Sequence, residues 1–239
     1  SGESRYGLIN LLHANPVRGA RSVPMARFYA QLAEPPGRAL GPGDVTRPML
    51  RADPVAVIAA KVRLGLAPAE RLVALCPGAE YGPAKRWPTE HFGELAARLA
   101  AAGMLPVVLG SPKDTPAGLA IEQLSNGAAL NLAGKTSLDD AIHLIAGCRL
   151  VVTNDSGLMH VAAALDRPQV ALFGSSSPSH TPPLSDRAWV IHKGLECSPC
   201  FARECPLGHF RCMRDIMPTE VLARCMAIDA DPQRAGTIV

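Results

Sequence analysis

VVTNDSGLMHVAAALDRPQVALFG, residues 151–174, carries two apolar strands separated by a polar turn and a short helix. The first strand covers 150–153 and the second 169–173, with a helix over 158–165 between them. The turn holds Asn154, Asp155, Ser156 and Gly157. A strand that ends in small polar residues and opens a helix leaves backbone N–H groups free at the helix N-terminus, where a phosphate or diphosphate binds. The pattern repeats upstream. A strand over 72–76 runs into the Gly/Pro-rich turn 77–82, and Lys85-Arg86-Trp87-Pro88 then leads into a helix over 89–102. Two such turns on one sheet, with Lys85 beside one of them, point to a nucleotide or nucleotide-sugar site.

Between and beyond these segments the alternation continues. Strands are expected over 105–109, 129–132 and 188–192, and helices over 116–124, 138–146 and 218–227. Strands alternating with helices of this length mean βαβ units and a parallel sheet. The fold class is therefore α/β, a Rossmann-like doubly wound parallel sheet. Right-handed crossovers bring the turns that follow the strands to one edge, where ligands bind. No G-x4-G-K-[ST] or G-x-G-x-x-G is present.

Residues 1–33 read apart from this pattern, with a short apolar run over 6–12 and helical spacing over 24–32. Residues 34–53 are rich in Pro and Gly and read as a linker. A helix over 54–64 opens the regular part. The division expected is 1–53 and 54–239.

Composition narrows the class. The chain has 239 residues, 48% of them hydrophobic, enough for a large core. A net charge of +3 with scattered basic residues gives no nucleic-acid footprint. No apolar run reaches the ~18–20 residues needed to span a bilayer, and the opening residues do not read as a secretory signal.

Seven cysteines are present. Cys76, Cys148 and Cys225 fall on apolar segments and read as core. Cys197, Cys200, Cys205 and Cys212 cluster as C-x2-C-x4-C-x6-C, with His209 among them. Reduced thiols packing a long loop, a structural zinc and disulfides are the three readings, and packing leads because only one C-x2-C knuckle is present.

On the ligand edge, Gly78 and Gly82 let the backbone approach a ligand or simply make a turn. Lys85 can neutralise a diphosphate or lie solvated. Asp155, Ser156, Gly157 and His160 form D-S-G-x-x-H. There, Asp155 can cap the helix or accept from a ribose, and His160 can donate to a phosphate or pack inside. Ser137 caps the helix over 138–146 with Asp140 in a capping box; Thr136 beside it can approach a base. Asp229-x-Asp231 resembles a cation-binding D-x-D but reads as part of a polar tail over 229–239. No acidic pair falls on the ligand edge, so neither a catalytic metal nor a cofactor is expected.

Three segments together carry a resemblance: CPGAEYGPAKRWPTEHFGELA (76–96), NLAGKTSLDDAIHLIAGCRLVVTNDSGLMHVAAAL (131–165) and CSPCFARECPLGHFRCM (197–213). They resemble the bacterial ADP-heptose:lipopolysaccharide heptosyltransferases of glycosyltransferase family 9, most of all the branch that adds the second heptose. The resemblance implies a GT-B architecture. Its C-terminal Rossmann-like domain binds ADP-heptose, and its N-terminal domain binds the lipopolysaccharide inner-core acceptor. It also implies inverting, metal-independent heptose transfer in the cytoplasm, peripheral to the inner membrane.

Lys85 matches the family's diphosphate-binding lysine, and Asp155, Ser156, Gly157 and His160 its nucleotide and phosphate contacts. Gly78, Glu80 and Tyr81 fall in the turn that approaches the phosphates, Thr136 falls near a base contact, and Asp114 is a substitute for a ribose-holding glutamate. The family's aspartate base, near the start of its N-terminal domain, has no match here. SGESRYG resembles a segment late in that domain, so 1–53 is expected to be its remnant plus linker, with 54–239 the nucleotide-sugar domain. On that expectation the chain alone transfers no heptose and self-associates through an exposed apolar face. The rival readings are a non-catalytic ADP-sugar-binding module and a zinc- or redox-responsive interaction module built on the cysteine loop.

Overall fold

A computed structural model describes residues 23–231 except 36 and 42. The apolar run at 6–12, the SGESRYG segment and the tail from 232 onward lie outside the described residues.

Six strands form one sheet: β1 (Leu72–Cys76), β2 (Leu105–Val108), β3 (Leu130–Asn131), β4 (Leu150–Asn154), β5 (Gln169–Phe173) and β6 (Ala188–His192). All neighbours pair in parallel, in the order β3-β2-β1-β4-β5-β6. This is the order of dinucleotide-binding sheets, and it reverses direction between β1 and β4. Strands buried on both faces read as unbroken apolar runs rather than alternating ones. LVALC and QVALF are fully buried for that reason.

Among the described residues eight helices accompany the sheet: α1 (Met25–Gln31), α2 (Pro54–Arg63), α3 (Thr89–Ala101), α4 (Thr115–Leu124), α5 (Leu138–Ala146), α6 (Gly157–Ala164), α7 (Arg211–Arg214) and α8 (Pro218–Ala230). Two apolar layers result. On one face Trp87, Phe92, Leu95 and Leu99 join Val73, Leu75, Val152 and Leu172 with Ile216, Val221 and Ile228. On the other, Leu144, Ile145, Ala162 and Leu165 cover Leu72, Ala74, Val107 and Val151. The two faces take alternate residues of β1, as the two-residue period of a strand requires. Ser137 and Asp140 close the expected box on α5: the Asp140 amide donates to Ser137 Oγ at 3.1 Å and the Ser137 amide to Asp140 Oδ2 at 3.0 Å.

Several boundaries differ from the sequence reading. The strand expected over 129–132 pairs through only two residues, Leu130 and Asn131. α8 has no side-chain cap at its start and runs on to Ala230, so Asp229 is helical and not part of a tail. Its carboxylate accepts from Arg71 at 2.7 Å and from Arg149 at 2.8 Å, tying the helix to the residues before β1 and β4. Two distant cations outweigh the local polar composition that suggested a free end. The Pro/Gly-rich stretch over 34–53 is also docked on the domain. Leu40 is buried, the Leu50 amide donates to Ala164 at 2.7 Å, and Arg47 forms a two-bond pair with Asp186.

Candidate donor site at the sheet switch point

The turns after β1, β2, β3 and β4 converge on a cavity of about 500 Å³. It is lined among others by Gly78, Glu80, Asp114, Thr136, Ser156 and Gly157. Small-ligand pockets run from roughly 300 to 1,000 Å³ and favour this switch point.

One wall is the start of α6. Ser156 occupies the N-cap position but makes no side-chain cap. Among the described residues nothing accepts from the Gly157 and Leu158 amides. A side chain at Gly157 would meet only open space. These are free donors at the positive end of a helix dipole, facing a cavity, which is the arrangement that holds an anion.

Asp155 does not cap α6. The helix begins at Gly157, one residue earlier than the sequence reading put it, with Ser156 and not Asp155 at the N-cap position, and the Asp155 side chain turns inward, only 4% exposed. Its Oδ2 accepts from Lys85 Nζ at 2.5 Å, from Ser176 Oγ at 2.6 Å and from Thr181 Oγ1 at 3.2 Å. Lys85 therefore lies neither solvated nor inside the cavity. It sits on a 3₁₀ turn, Pro83–Lys85, with its ammonium against Asp155 and over the Tyr81 ring at 4.9 Å. An ammonium has three donors, so one bond to Asp155 leaves others for a ligand. His160, one turn into α6, is exposed at its edge. Burial of part of the ring pushes its pKa down, Asp155 opposes that, and Lys85 reinforces it.

The glycines also make room for the protein itself. A Cβ at Gly78 would fall 2.7 Å from the Asp114 carboxylate, and one at Gly82 would fall 2.4 Å from the Arg203 carbonyl oxygen. Both positions are bare so that protein can pack there, and at Gly82 a φ of 156° disfavours a side chain as well. Asp114 ends a second 3₁₀ turn, Pro112–Asp114, where its Oδ2 accepts from the Ser111 amide and hydroxyl, each at 2.8 Å. It lines the cavity while already capping that turn. Tyr81 does not line the cavity; its hydroxyl donates to the Phe201 carbonyl at 2.6 Å and so braces the cysteine loop. Glu80 stands at the mouth, paired with the exposed Lys113 at 2.6 Å. The hydrogen bond from Lys113 holds its carboxyl below the usual range.

The sequence reading passed over four contributors. Lys113 was visible as a basic residue in the turn after β2. Ser176 and Thr181 lay in a stretch that read only as Ser/Pro-rich. Asn154 was seen as a turn residue, but it joins the turns after β1 and β4: its Nδ2 donates to Pro77 at 2.7 Å and its Oδ1 accepts from the Trp87 amide at 3.1 Å.

Cys76, Cys148 and Cys225 are buried in the core as expected, but Cys212, read with the loop cluster, is also buried, on α7, leaving Cys197, Cys200 and Cys205 on the loop. All seven thiols are free, and among the described residues no group of three His, Cys, Asp or Glu is arranged to hold a metal ion. Burial pushes Cys148 and Cys225 up to about 12, and Cys212 up to about 11 with its three neighbouring loop thiols adding to it. Cys205 moves the other way. Burial is the largest single influence and raises it, but the amides of Phe210, Leu207, His209 and Gly208 point at its sulfur and together bring it below the ordinary thiol value. A thiol with more thiolate at neutral pH reacts faster. Cys205→Ser is thus expected to remove the fastest phase of labelling by an aromatic disulfide reagent at pH 7. An unchanged fast phase would assign it to Cys197 or Cys200.

A parallel sheet in this order, with an uncapped helix start and a lysine at its switch point, defines the geometry. The model of glycosyltransferase family 9 (heptosyltransferase) matches residues 2–211. The chain belongs to glycosyltransferase family 9. This family-9 chain is 41% identical over 229 residues to lipopolysaccharide heptosyltransferase 2 of Salmonella typhimurium, covering 92% of the chain and 65% of that protein. It is 43% identical over 201 residues to lipooligosaccharide heptosyltransferase 2 of Haemophilus influenzae, covering 80% of the chain and 57% of that protein. The solved structure of E. coli ADP-heptose lipopolysaccharide heptosyltransferase II superposes with a TM-score of 0.83 at 39% identity, over 96% of this chain and 68% of that one. The chain thus spans about two thirds of the length of the Salmonella relative. No described helix is long and apolar enough to cross a membrane.

Proposed function

We propose that this chain carries the ADP-heptose site of a heptosyltransferase of lipopolysaccharide inner-core synthesis, working in the cytoplasm at the inner membrane. The observation that carries this reading is the uncapped start of α6 opening on the switch-point cavity, with Lys85 held beside it by Asp155. In the reaction a hydroxyl of a core heptose attacks the anomeric carbon of ADP-heptose from the face opposite the nucleotide. The C–O bond to the diphosphate breaks as the new glycosidic bond forms, which inverts the centre. A base takes the hydroxyl proton, and ADP departs.

Charge builds on the diphosphate as that bond breaks, so donors fixed in advance at that position lower the barrier most. The Gly157 and Leu158 amides and the Lys85 ammonium are such donors. Thr136 and Ser137 border the cavity at its far end, after β3, where a base would lie. Asp114 and Glu80 border it between the two ends, within reach of a ribose or the sugar. The domain division at residue 53 belongs to the same reading, as does self-association through exposed apolar side chains such as Val55, Ile58 and Val62 on α2.

Titration calorimetry with ADP, with and without EDTA, tests the reading. Saturable binding that EDTA leaves unchanged is expected, because the anion is held by amides and a lysine. Absence of binding, or its loss in EDTA, would overturn it.

A further inference from the structure

The loop after β5 also reaches Asp155. Ser176 and Thr181 donate to the same carboxylate oxygen, Oδ2, that accepts from Lys85. Three donors on one oxygen fix the position of that oxygen. Ser176 is buried, and its neighbour Ser175 is bonded on both sides: its carbonyl accepts from the Phe201 amide at 2.6 Å and its amide reaches the Ala84 carbonyl at 3.4 Å. The far end of the loop is fastened too. The His180 carbonyl accepts from the Met25 amide at 2.8 Å, and the His180 ring lies 3.2 Å from the Val23 carbonyl. The hydroxyls thus stand on a tethered scaffold, and neither of them lines the cavity.

We propose that Ser176 and Thr181 are positioning residues that act through Asp155 to aim the Lys85 ammonium at a bound diphosphate. The inference rests on the donor-site reading above. A lysine side chain has four rotatable carbons, and without a fixed partner its charge spreads over many rotamers. A carboxylate locked by two hydroxyls selects one of them before the ligand arrives. Preorganisation of this kind raises affinity by removing an ordering cost and not by adding a contact.

A double-mutant cycle on the chain tests it, with ADP affinity measured by calorimetry. Ser176→Ala combined with Thr181→Val is expected to weaken ADP binding about five- to twentyfold in the wild-type background. In a Lys85→Ala background the same pair of substitutions should change ADP binding less than twofold, because the residue they act through is gone. Thr181→Ser, which keeps the hydroxyl, should stay within twofold of wild type. Thermal midpoints measured alongside identify a variant that fails to fold, and in that event Thr181→Val alone in both backgrounds carries the comparison.

A loss that persists undiminished without Lys85 would make the hydroxyls merely structural and overturn the proposal. So would ADP binding that ignores both substitutions. If the unsubstituted chain binds no ADP at all, the donor-site reading falls and takes this inference with it. ADP binding that depends on Lys85 but not on the hydroxyls sinks this inference alone.

Discussion

Lys85→Ala is expected to weaken ADP binding by about 1.5–3 kcal/mol, or roughly 10- to 150-fold, the range for a hydrogen bond to a charged group. Two effects add. The variant removes the ammonium that would meet the diphosphate. It also strips Asp155 of its cation, since Lys85 Nζ at 2.5 Å is the positively charged partner of that buried carboxylate. Ser176 and Thr181 would still donate to Asp155, but they carry no charge, so an uncompensated anion would stand immediately before the start of α6, where the proposed diphosphate would lie. Lys85→Arg should recover part of the loss. It restores the charge, although the planar guanidinium fits neither the short approach to Asp155 nor the place over the Tyr81 ring in the same way. Calorimetry with ADP decides the matter, and an affinity unchanged in Lys85→Ala would take Lys85 out of the donor site.

The parts of this molecule that were legible in the sequence are those fixed by local pattern. β1, β5, β6 and α5 fall where the apolar runs and the Ser137 cap put them. Apolar pattern fixes a strand that is buried on both faces, and a capping box fixes a helix start. The two turns that flank the switch point were legible for the same reason, because small polar residues and glycines follow an apolar run.

Partners distant in the chain were not legible. Asp155 looks like a cap from its place after β4, yet Lys85, Ser176 and Thr181 lie 70, 21 and 26 positions away and pull it inward. Asp229 looks like a tail residue until Arg71 and Arg149 meet it across 158 and 80 positions. Gly78 and Gly82 were read as room for a ligand or as a plain turn, because a sequence does not show which atoms occupy the space a missing Cβ leaves. In this molecule those atoms are Asp114 and the Arg203 backbone. The backbone plan was thus carried by periodicity, whereas the electrostatics of the site came from pairings that only the fold brings together.

Asn154→Ala is expected to cost about 2–4 kcal/mol of folding stability, from two buried polar groups left without partners at about 1–3 kcal/mol each. Asn154 is fully buried at the end of β4. Its amide nitrogen donates to the Pro77 carbonyl after β1, and its oxygen accepts from the Trp87 amide before α3. Trp87 is itself buried, with its ring nitrogen donating to the Ile216 carbonyl at 2.9 Å, so water cannot replace the lost bond. Asn154→Asp separates shape from chemistry. It keeps the acceptor for Trp87 but sets a carboxylate oxygen against the Pro77 carbonyl, with no proton between them. In that buried place the acid form is favoured, because its O–H can donate to Pro77, so the folded-state pKa rises above the unfolded value. A group shifted that way stabilises the fold at low pH and loses that contribution as pH rises through the folded pKa. Asn154→Asp should therefore approach the wild type in denaturant unfolding near pH 5 and fall well short of it at pH 8, while Asn154→Ala should show no such recovery. The same bridge ties together the turns after β1 and β4. Whatever fraction of either variant remains folded is therefore expected to bind ADP more weakly than wild type. Wild-type stability in Asn154→Ala would mean that the sheet register alone holds the turns together.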